Sequence, residues 1–133
     1  MASSDNQNVN EVSRVSAHSY YKGNFYSDND IRIDGTFEGD ILTKGKAVVG
    51  EKARVIGTII CASLDVWGNI KGDVYVKDTL SLKATSTVEG NMYYTRLQLE
   101  IGANFEGMCK RVADDDYKAM FESKDIRLQP KEQ

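Results

Sequence analysis

Hydrophobic and polar positions alternate in short stretches along most of the chain, and the alternating pattern itself repeats. The stretch IRIDGTFEGDI, which begins at Ile31, is matched 33 residues later by LDVWGNIKGDV, which begins at Leu64. The apolar residues and the glycines agree position by position, while the polar residues between them mostly change. Alternation of this kind predicts short β-strands that bury one of their two faces.

The 33-residue interval contains two smaller repeats. One column of apolar positions advances by 16, 17, 16 and 17 residues: Ile31, Ala47, Leu64, Leu80 and Leu97. Another column holds six of the eleven glycines: Gly23, Gly39, Gly57, Gly72, Gly90 and Gly107. Helical spacing is absent between residues 21 and 109, and a unit of about 17 residues leaves no room for a crossover helix. The repeat therefore predicts an all-β solenoid in which each coil stacks on the previous one.

The glycine column fits sharp corners, where an inward side chain would collide with the neighbouring strand. The alternative is a β-meander whose hairpin turns contain these glycines, although hairpins need no glycine at a fixed place within an alternating unit. We expect about six short coils over residues 20–110, between a disordered N-terminal tail (1–19) and a C-terminal tail (111–133). In the latter, Tyr117, Met120 and Phe121 have helical spacing and predict a short helix, which either covers the upper end of the solenoid or is only marginally stable.

The repeated apolar-x-Gly-x-apolar units, of which the last reads LEIGANFEGMCK, resemble the bactofilin family over about residues 21–110. The resemblance implies a right-handed, three-sided parallel β-helix. It also implies a bacterial cytoskeletal protein that polymerises without nucleotide, metal or other cofactor, joins like end to like end, and organises cell-shape or cell-wall machinery. Many members carry an apolar N-terminal segment that touches the membrane. The polar start MASSDNQN predicts no direct membrane insertion here, so any peripheral position at the inner face of the membrane would depend on partner proteins.

The two ends of the solenoid are the predicted polymerisation surfaces, because end strands leave backbone groups unpaired and apolar side chains uncovered. About five half-covered large side chains per end would contribute roughly 4–8 kcal/mol on burial, against an association cost of ~4–15 kcal/mol. The residues expected at the lower, N-terminal end are Tyr21, Phe25, Ile31 and Phe37. Those expected at the upper end are Leu97, Leu99, Ile101 and, as the first choice for a test, Phe105.

Charge and composition narrow the range of partners. The 133 residues include 17 basic and 20 acidic side chains, and the net charge is −3. No basic face is available to follow a phosphate backbone, so nucleic acid is not an expected partner. No apolar run approaches the ~18 residues of a membrane span, and the start lacks the pattern of a secretory signal. Two cysteines are too few for a disulfide scaffold, which favours the reducing cytoplasm.

Few residues are candidates for catalysis or metal binding. The only histidine, His18, lies in the predicted N-terminal tail, and Cys61 and Cys109 have no second thiol at metal-ligand spacing. The acidic run 114–116 suits a helix start better than a cation site. We therefore predict no enzyme activity, no cofactor and no bound metal.

Two other classes remain as alternatives to a polymer. Hexapeptide-repeat acyltransferases are also β-helical, but they have a stricter six-residue rhythm and generally use a histidine within the helix region, which residues 21–109 lack. The second alternative is a β-solenoid that binds a partner and does not polymerise. Trp67 is the candidate contact for it, because the alternation places this side chain outward. An ice-binding solenoid is disfavoured, since the threonines do not fall in one column.

Overall fold

The computed structural model of the protein describes residues 12–112, which form β-strands and no helix. The strands are β1 Val12–Val15, β2 Tyr20–Lys22, β3 Phe25–Ser27, β4 Asp30–Ile33, β5 Thr36–Glu38, β6 Ile41–Thr43, β7 Lys46–Val49, β8 Arg54–Ile56, β9 Ile59–Cys61, β10 Ser63–Val66, β11 Asn69–Lys71, β12 Val74–Leu82, β13 Thr87–Leu99 and β14 Asn104–Arg111. Within this part of the chain, no helix has the length and hydrophobicity needed to span a membrane.

The strands stack in three parallel ladders, which form the three faces of a solenoid. The first face contains β1, β4, β7, β10 and the second halves of β12 and β13. The second face contains β2, β5, β8, β11 and the first parts of β13 and β14. The third face contains β3, β6, β9, the first half of β12, the middle of β13 and the end of β14. The predicted three-sided, parallel β-solenoid of about six coils is confirmed.

The pairing register follows the apolar columns of the sequence. On the first face, Ala47 pairs with Ile31 below it and with Leu64 above it. The next column on the same face is Ile33, Val49, Val66 and Leu82, all of which are fully buried. Like residues stack on like because every coil buries the apolar side chains of its neighbours, and the three faces enclose one continuous core.

The glycine column marks a corner where successive coils approach closely. Gly57 has φ +142°, and a Cβ added to it would fall on the carbonyl oxygen of Gly39 in the preceding coil. Gly39, Gly72, Gly90 and Gly107 have the same relationship to the glycine one coil earlier. Both the backbone conformation and the lack of space therefore require glycine, which explains why glycine recurs at this position from coil to coil.

Side chains fasten the corner that follows the glycine column. The amide oxygen of Asn24 accepts a hydrogen bond from the backbone N–H of Asp40 at 3.3 Å, and the carboxylate of Asp40 accepts one from Thr58 at 3.3 Å. Asp73 accepts one from Asn91 at 3.4 Å. These short polar side chains replace ladder hydrogen bonds where the backbone turns. The backbone N–H groups at this corner therefore keep a hydrogen-bond acceptor.

The N-terminal boundary differs from the predicted one. Val12–Val15 forms a strand that pairs with Asp30–Ile33, so the first coil begins within the segment 1–19 that we expected to be disordered. Ser13 pairs with Ile31, and this polar residue in an otherwise apolar column conceals the repeat in the sequence. The short helix expected in 111–133 lies outside the described residues, apart from Arg111 at the end of β14 and Val112.

Candidate assembly interface

The N-terminal end of the solenoid is closed by a layer of aromatic side chains from the first coil. The ring of Tyr21 stacks on Phe37 with centroids 4.8 Å apart and meets Phe25 edge-on at 6.5 Å. Tyr21 is 38% exposed, while Val15 and Phe25 are half-buried and pack against the core. The first coil thus presents a partly exposed apolar layer to solvent at this end.

Two residues predicted for this end lie deeper. Ile31 is 1% exposed and Phe37 is 0% exposed, so the prediction that they are uncovered is wrong. Strand β1 covers Ile31, and the ring of Tyr21 covers Phe37. Both residues belong to the core of the second coil, because strands β1 and β2 of the first coil lie over them. The signal in the sequence was Val15, which pairs with Ile33 and continues its column.

The C-terminal end is less well covered. Leu99 is 58% exposed, and Ile101, in the turn between β13 and β14, is 98% exposed. Leu97 and Phe105 are half-buried and pack on the core beneath them. Cys109 pairs with the buried Met92 of the preceding coil, yet it is exposed because it lies in the last coil. All four apolar residues predicted for this end lie in or beside that coil.

Both ends also present open strand edges. Within the described part of the chain, β1, β2 and β3 each pair with a single strand, respectively β4, β5 and β6. At the other end, β14 pairs only with β13. An open edge carries unpaired backbone N–H and C=O groups and is a template for a further strand. Each end therefore combines hydrogen-bonding groups with apolar side chains.

Trp67 lies at the corner between β10 and β11 and is half-buried. Its backbone N–H donates to the carbonyl of Val49 at 2.8 Å, and its own carbonyl accepts from the Thr85 hydroxyl at 2.7 Å. The Lys83 ammonium lies 5.2 Å from the centroid of the indole ring, within range of a cation–π interaction. The residue thus links three successive coils, and its role as a partner contact stays a prediction.

The remaining reactive side chains are dispersed. Cys61 is fully buried, and burial raises the pKa of its thiol, with a smaller contribution from the charge of Asp65. His18 is exposed in the turn after β1, at φ 70°. Among residues 12–112, no group of three or more His, Cys, Asp or Glu side chains is placed to hold a metal ion.

A stack of similar coils with two open, partly apolar ends is the architecture of a structural repeat protein whose ends are available for self-association. The comparisons with known proteins agree with this class. The profile of the bactofilin family, described as polymer-forming cytoskeletal, matches residues 13–110, and the chain belongs to this family. The family is one of structural cytoskeletal proteins and is not an enzyme family.

Among individual proteins, bactofilin BacO of Myxococcus xanthus (strain DK1622) is 28% identical over 85 residues, which cover 64% of this chain and 68% of BacO. No solved structure gives a significant match. The resemblance to bactofilins drawn from the glycine and apolar columns is confirmed.

Proposed function

We propose that the protein assembles end to end, through its first and last coils, into filaments that form without nucleotide and serve as a bacterial cytoskeletal scaffold. The observation that carries this proposal is the exposure of Leu99 and Ile101, at 58% and 98%, beside the open edge of the last coil. Large aliphatic side chains at an open strand edge are costly to leave in water and favour association.

The two ends should differ in strength. With full burial of one large apolar side chain at ~1.5–3 kcal/mol, the three half-covered residues of the N-terminal end could contribute roughly 2–5 kcal/mol per chain. The four residues of the C-terminal end, of which two are mostly exposed, could contribute roughly 4–8 kcal/mol per chain. We therefore assign the stronger contact to the C-terminal end, and we propose that it meets a second C-terminal end, as the family resemblance implies.

Mass measurements on end variants test this arrangement. Phe105→Arg places a charge in the C-terminal end and Phe25→Arg places one in the N-terminal end. If like ends join, each single variant should stop at a dimer of twice 14.8 kDa, or 29.6 kDa, and the double variant should remain a 14.8 kDa monomer. If opposite ends join, each single variant should already be a monomer. Asn69→Arg, which adds the same charge to an exposed lateral position, is the matched control and should still polymerise.

Negative-stain microscopy of the unsubstituted protein, without nucleotide, is the first step. Filaments that vanish in a Phe105→Arg variant with an unchanged circular dichroism spectrum would support the proposal. Dispersed particles in both, at high protein concentration and several salt concentrations, would contradict it.

We further propose that the filament acts in the cytoplasm as a platform for cell-wall or membrane-associated proteins that set cell shape. The long lateral surface of a solenoid polymer offers repeated identical sites for such partners. In the source bacterium, replacing the chromosomal copy with Phe105→Arg should alter cell shape and disperse a fluorescent fusion, whereas Asn69→Arg should change neither. Normal shape in a strain shown to lack polymer would contradict this role.

A further inference from the structure

The third face of the solenoid carries an apolar stripe on its outer side. In each third-face strand, the residues before and after the middle position point into the core, as Ile59 and Cys61 do in β9, so the middle residue points away from it. The middle residues pair directly with one another from coil to coil. They are Tyr26, Leu42, Ile60, Tyr75 and Tyr93, which we call the lateral stripe.

The middle of the lateral stripe is buried as deeply as a core. Leu42 and Ile60 are 0% exposed and Tyr75 is 8% exposed, although all three lie outside the three-sided core. On the second face, by contrast, the outward residues Arg54 and Lys71 are exposed. The stripe forms a hydrophobic cluster separate from the main core, in which the rings of Tyr75 and Tyr93 stack at 4.8 Å.

The chain leaves the last coil at the edge of this stripe. The backbone N–H of Val112 donates to the carbonyl of Tyr94 at 2.7 Å, and the hydroxyl of Thr95 donates to the carbonyl of Val112 at 3.4 Å. Val112 is 4% exposed and belongs to the same hydrophobic cluster as the lateral stripe. The path of the main chain therefore enters the stripe at the point where 21 residues (113–133) remain.

The length and pattern of those residues fit the stripe. Five coils at the strand spacing of ~4.8 Å make a stripe roughly 19 Å long, which a helix of about 13 residues would span at ~1.5 Å per residue. In the sequence, Tyr117, Met120, Phe121 and Leu128 have the spacing of one apolar helix face. An amphipathic segment of this kind would present its apolar side to the stripe and its charged side to water.

We propose that residues 113–133 pack lengthwise along the lateral stripe and cover the third face, leaving both ends of the solenoid free. This placement differs from the cap on the upper end that the sequence alone suggested. It concerns the single chain and does not depend on the proposed polymerisation. Its consequence is that the segment masks an apolar surface that would otherwise join chains side by side.

Thiol labelling of a cysteine placed in the stripe tests the proposal. Ile60→Cys is introduced into the full chain with Cys109→Ser, so that the buried Cys61 is the only other thiol. Lys71→Cys, on the exposed second face, is the matched control in the same background. Each probe is compared with and without the tail substitutions Met120→Ser and Phe121→Ser, at a concentration where sedimentation shows monomer.

With the tail intact, the thiol at position 60 should react about tenfold or more slowly than the thiol at position 71, because labelling requires local opening. The tail substitutions should raise the rate at position 60 by about tenfold or more and leave the rate at position 71 unchanged. Protection of Cys61 throughout shows that the solenoid remains folded. If Ile60→Cys exposes Cys61, Leu42→Cys serves as the second probe with the same expectation.

Two results would overturn the proposal. Equal rates at positions 60 and 71 with the tail intact would mean that the lateral stripe is open to solvent. Slow labelling at position 60 that the tail substitutions leave unchanged would mean that another occupant covers it.

Discussion

The first and last coils are built from the same repeat, yet they close the solenoid differently. At the N-terminal end, the Tyr21 ring lies flat on Phe37, and the most exposed of the predicted contact residues is 38% accessible. At the C-terminal end, Ile101 is 98% exposed and Leu99 is 58% exposed. A solenoid end is thus not simply an inner coil without a neighbour. Aromatic side chains that fold over the core reduce the exposed area at one end, and the other end keeps its aliphatic side chains available for contact.

The largest effect is expected when an inner coil is compared with an end coil at the same repeat position. In Gly57→Ala, the added methyl falls on the Gly39 carbonyl, so the free energy of unfolding should fall by about 3 kcal/mol or more, or folding should fail. In Gly23→Ala, the methyl meets only the Tyr21 ring at 3.7 Å, and the remaining cost of φ +140° is roughly 1–3 kcal/mol.

Urea denaturation of the two glycine variants, in the double-variant Phe25→Arg, Phe105→Arg background that is expected to be monomeric, measures the difference directly. Equal losses at the two positions would mean that backbone strain alone, and not the contact with the preceding coil, explains the glycine column.

The next effect separates assembly from stability. Because Ile101 is almost fully exposed, Ile101→Asp should change the free energy of unfolding by no more than about 0.5 kcal/mol. It should still raise the critical concentration for polymerisation about tenfold or more, since burial of an isoleucine contributes ~1.5–3 kcal/mol. Pelleting assays and denaturation curves check the two quantities.

Tyr21→Ala is the matched change at the other end. It should lower the free energy of unfolding by about 1–3 kcal/mol, because it removes both the stack on Phe37 and partial burial. A large loss of stability in Ile101→Asp would remove the contrast between the two ends.

Cys109 reports on the C-terminal end without any substitution, and the buried Cys61 serves as the internal control. Cys109 is exposed in the free chain and should react quickly with a thiol reagent, then slowly in filaments whose C-terminal ends are joined. Cys61 should stay unreactive in both states at pH 8, because burial raises the pKa of its thiol. Mass spectrometry of the labelled peptides, before and after polymer is pelleted, gives both rates. Equal labelling of Cys109 in the two states would contradict a covered C-terminal end.

The raised pKa of Cys61 also determines the direction in which the free energy of unfolding changes with pH. The folded chain holds the thiol proton more tightly than the unfolded chain, whose thiol titrates near ~8.5. This contribution to stability is therefore complete below about pH 8.5 and is lost as the pH rises above that value. Cys61→Ala should flatten the decline of unfolding free energy between about pH 8.5 and 10. The same decline of unfolding free energy in the variant would show that titratable groups other than Cys61 cause it.

The smallest effect concerns the corner between β10 and β11, which lies away from both ends. Lys83→Met removes the ammonium that lies 5.2 Å from the Trp67 ring and should lower the free energy of unfolding by about 0.5–1 kcal/mol. Fluorescence of the single tryptophan should shift, while polymerisation should stay unchanged. A change in polymer yield would mean that this corner takes part in assembly.

The sequence was sufficient to predict the coils because their spacing is nearly constant and each inward column has one type of side chain. Ala47, for example, sits between Ile31 and Leu64 in sequence pattern and in space. The first strand was missed because it breaks this rule, with the polar Ser13 in the column of Ile31. One extra strand then sufficed to move a predicted end residue into the core.

The lateral stripe was missed for a different reason. The alternating pattern assigns Leu42, Ile60 and Tyr75 to outward positions, and in the repeat at Ile31 and Leu64 the residues between the apolar positions mostly change. A signal was present, since the middle residue of the third-face strand is apolar or aromatic in five successive coils. Burial of that surface depends on what lies over it, which a repeat pattern within the solenoid does not describe.

The corner glycines give the solenoid a direction along its axis. At every coil after the first, the direction in which a methyl would project from the column points back toward the N-terminus, onto the preceding glycine's carbonyl. Only Gly23 has no glycine beneath it, so a methyl group added there would lie at the N-terminal end, 3.7 Å from the Tyr21 ring. A single methyl group at position 23 would therefore act as a label for one type of joint. In a filament that joins like ends, as proposed, this methyl group would weaken only the joints between N-terminal ends. Dimers joined through their C-terminal ends would then remain.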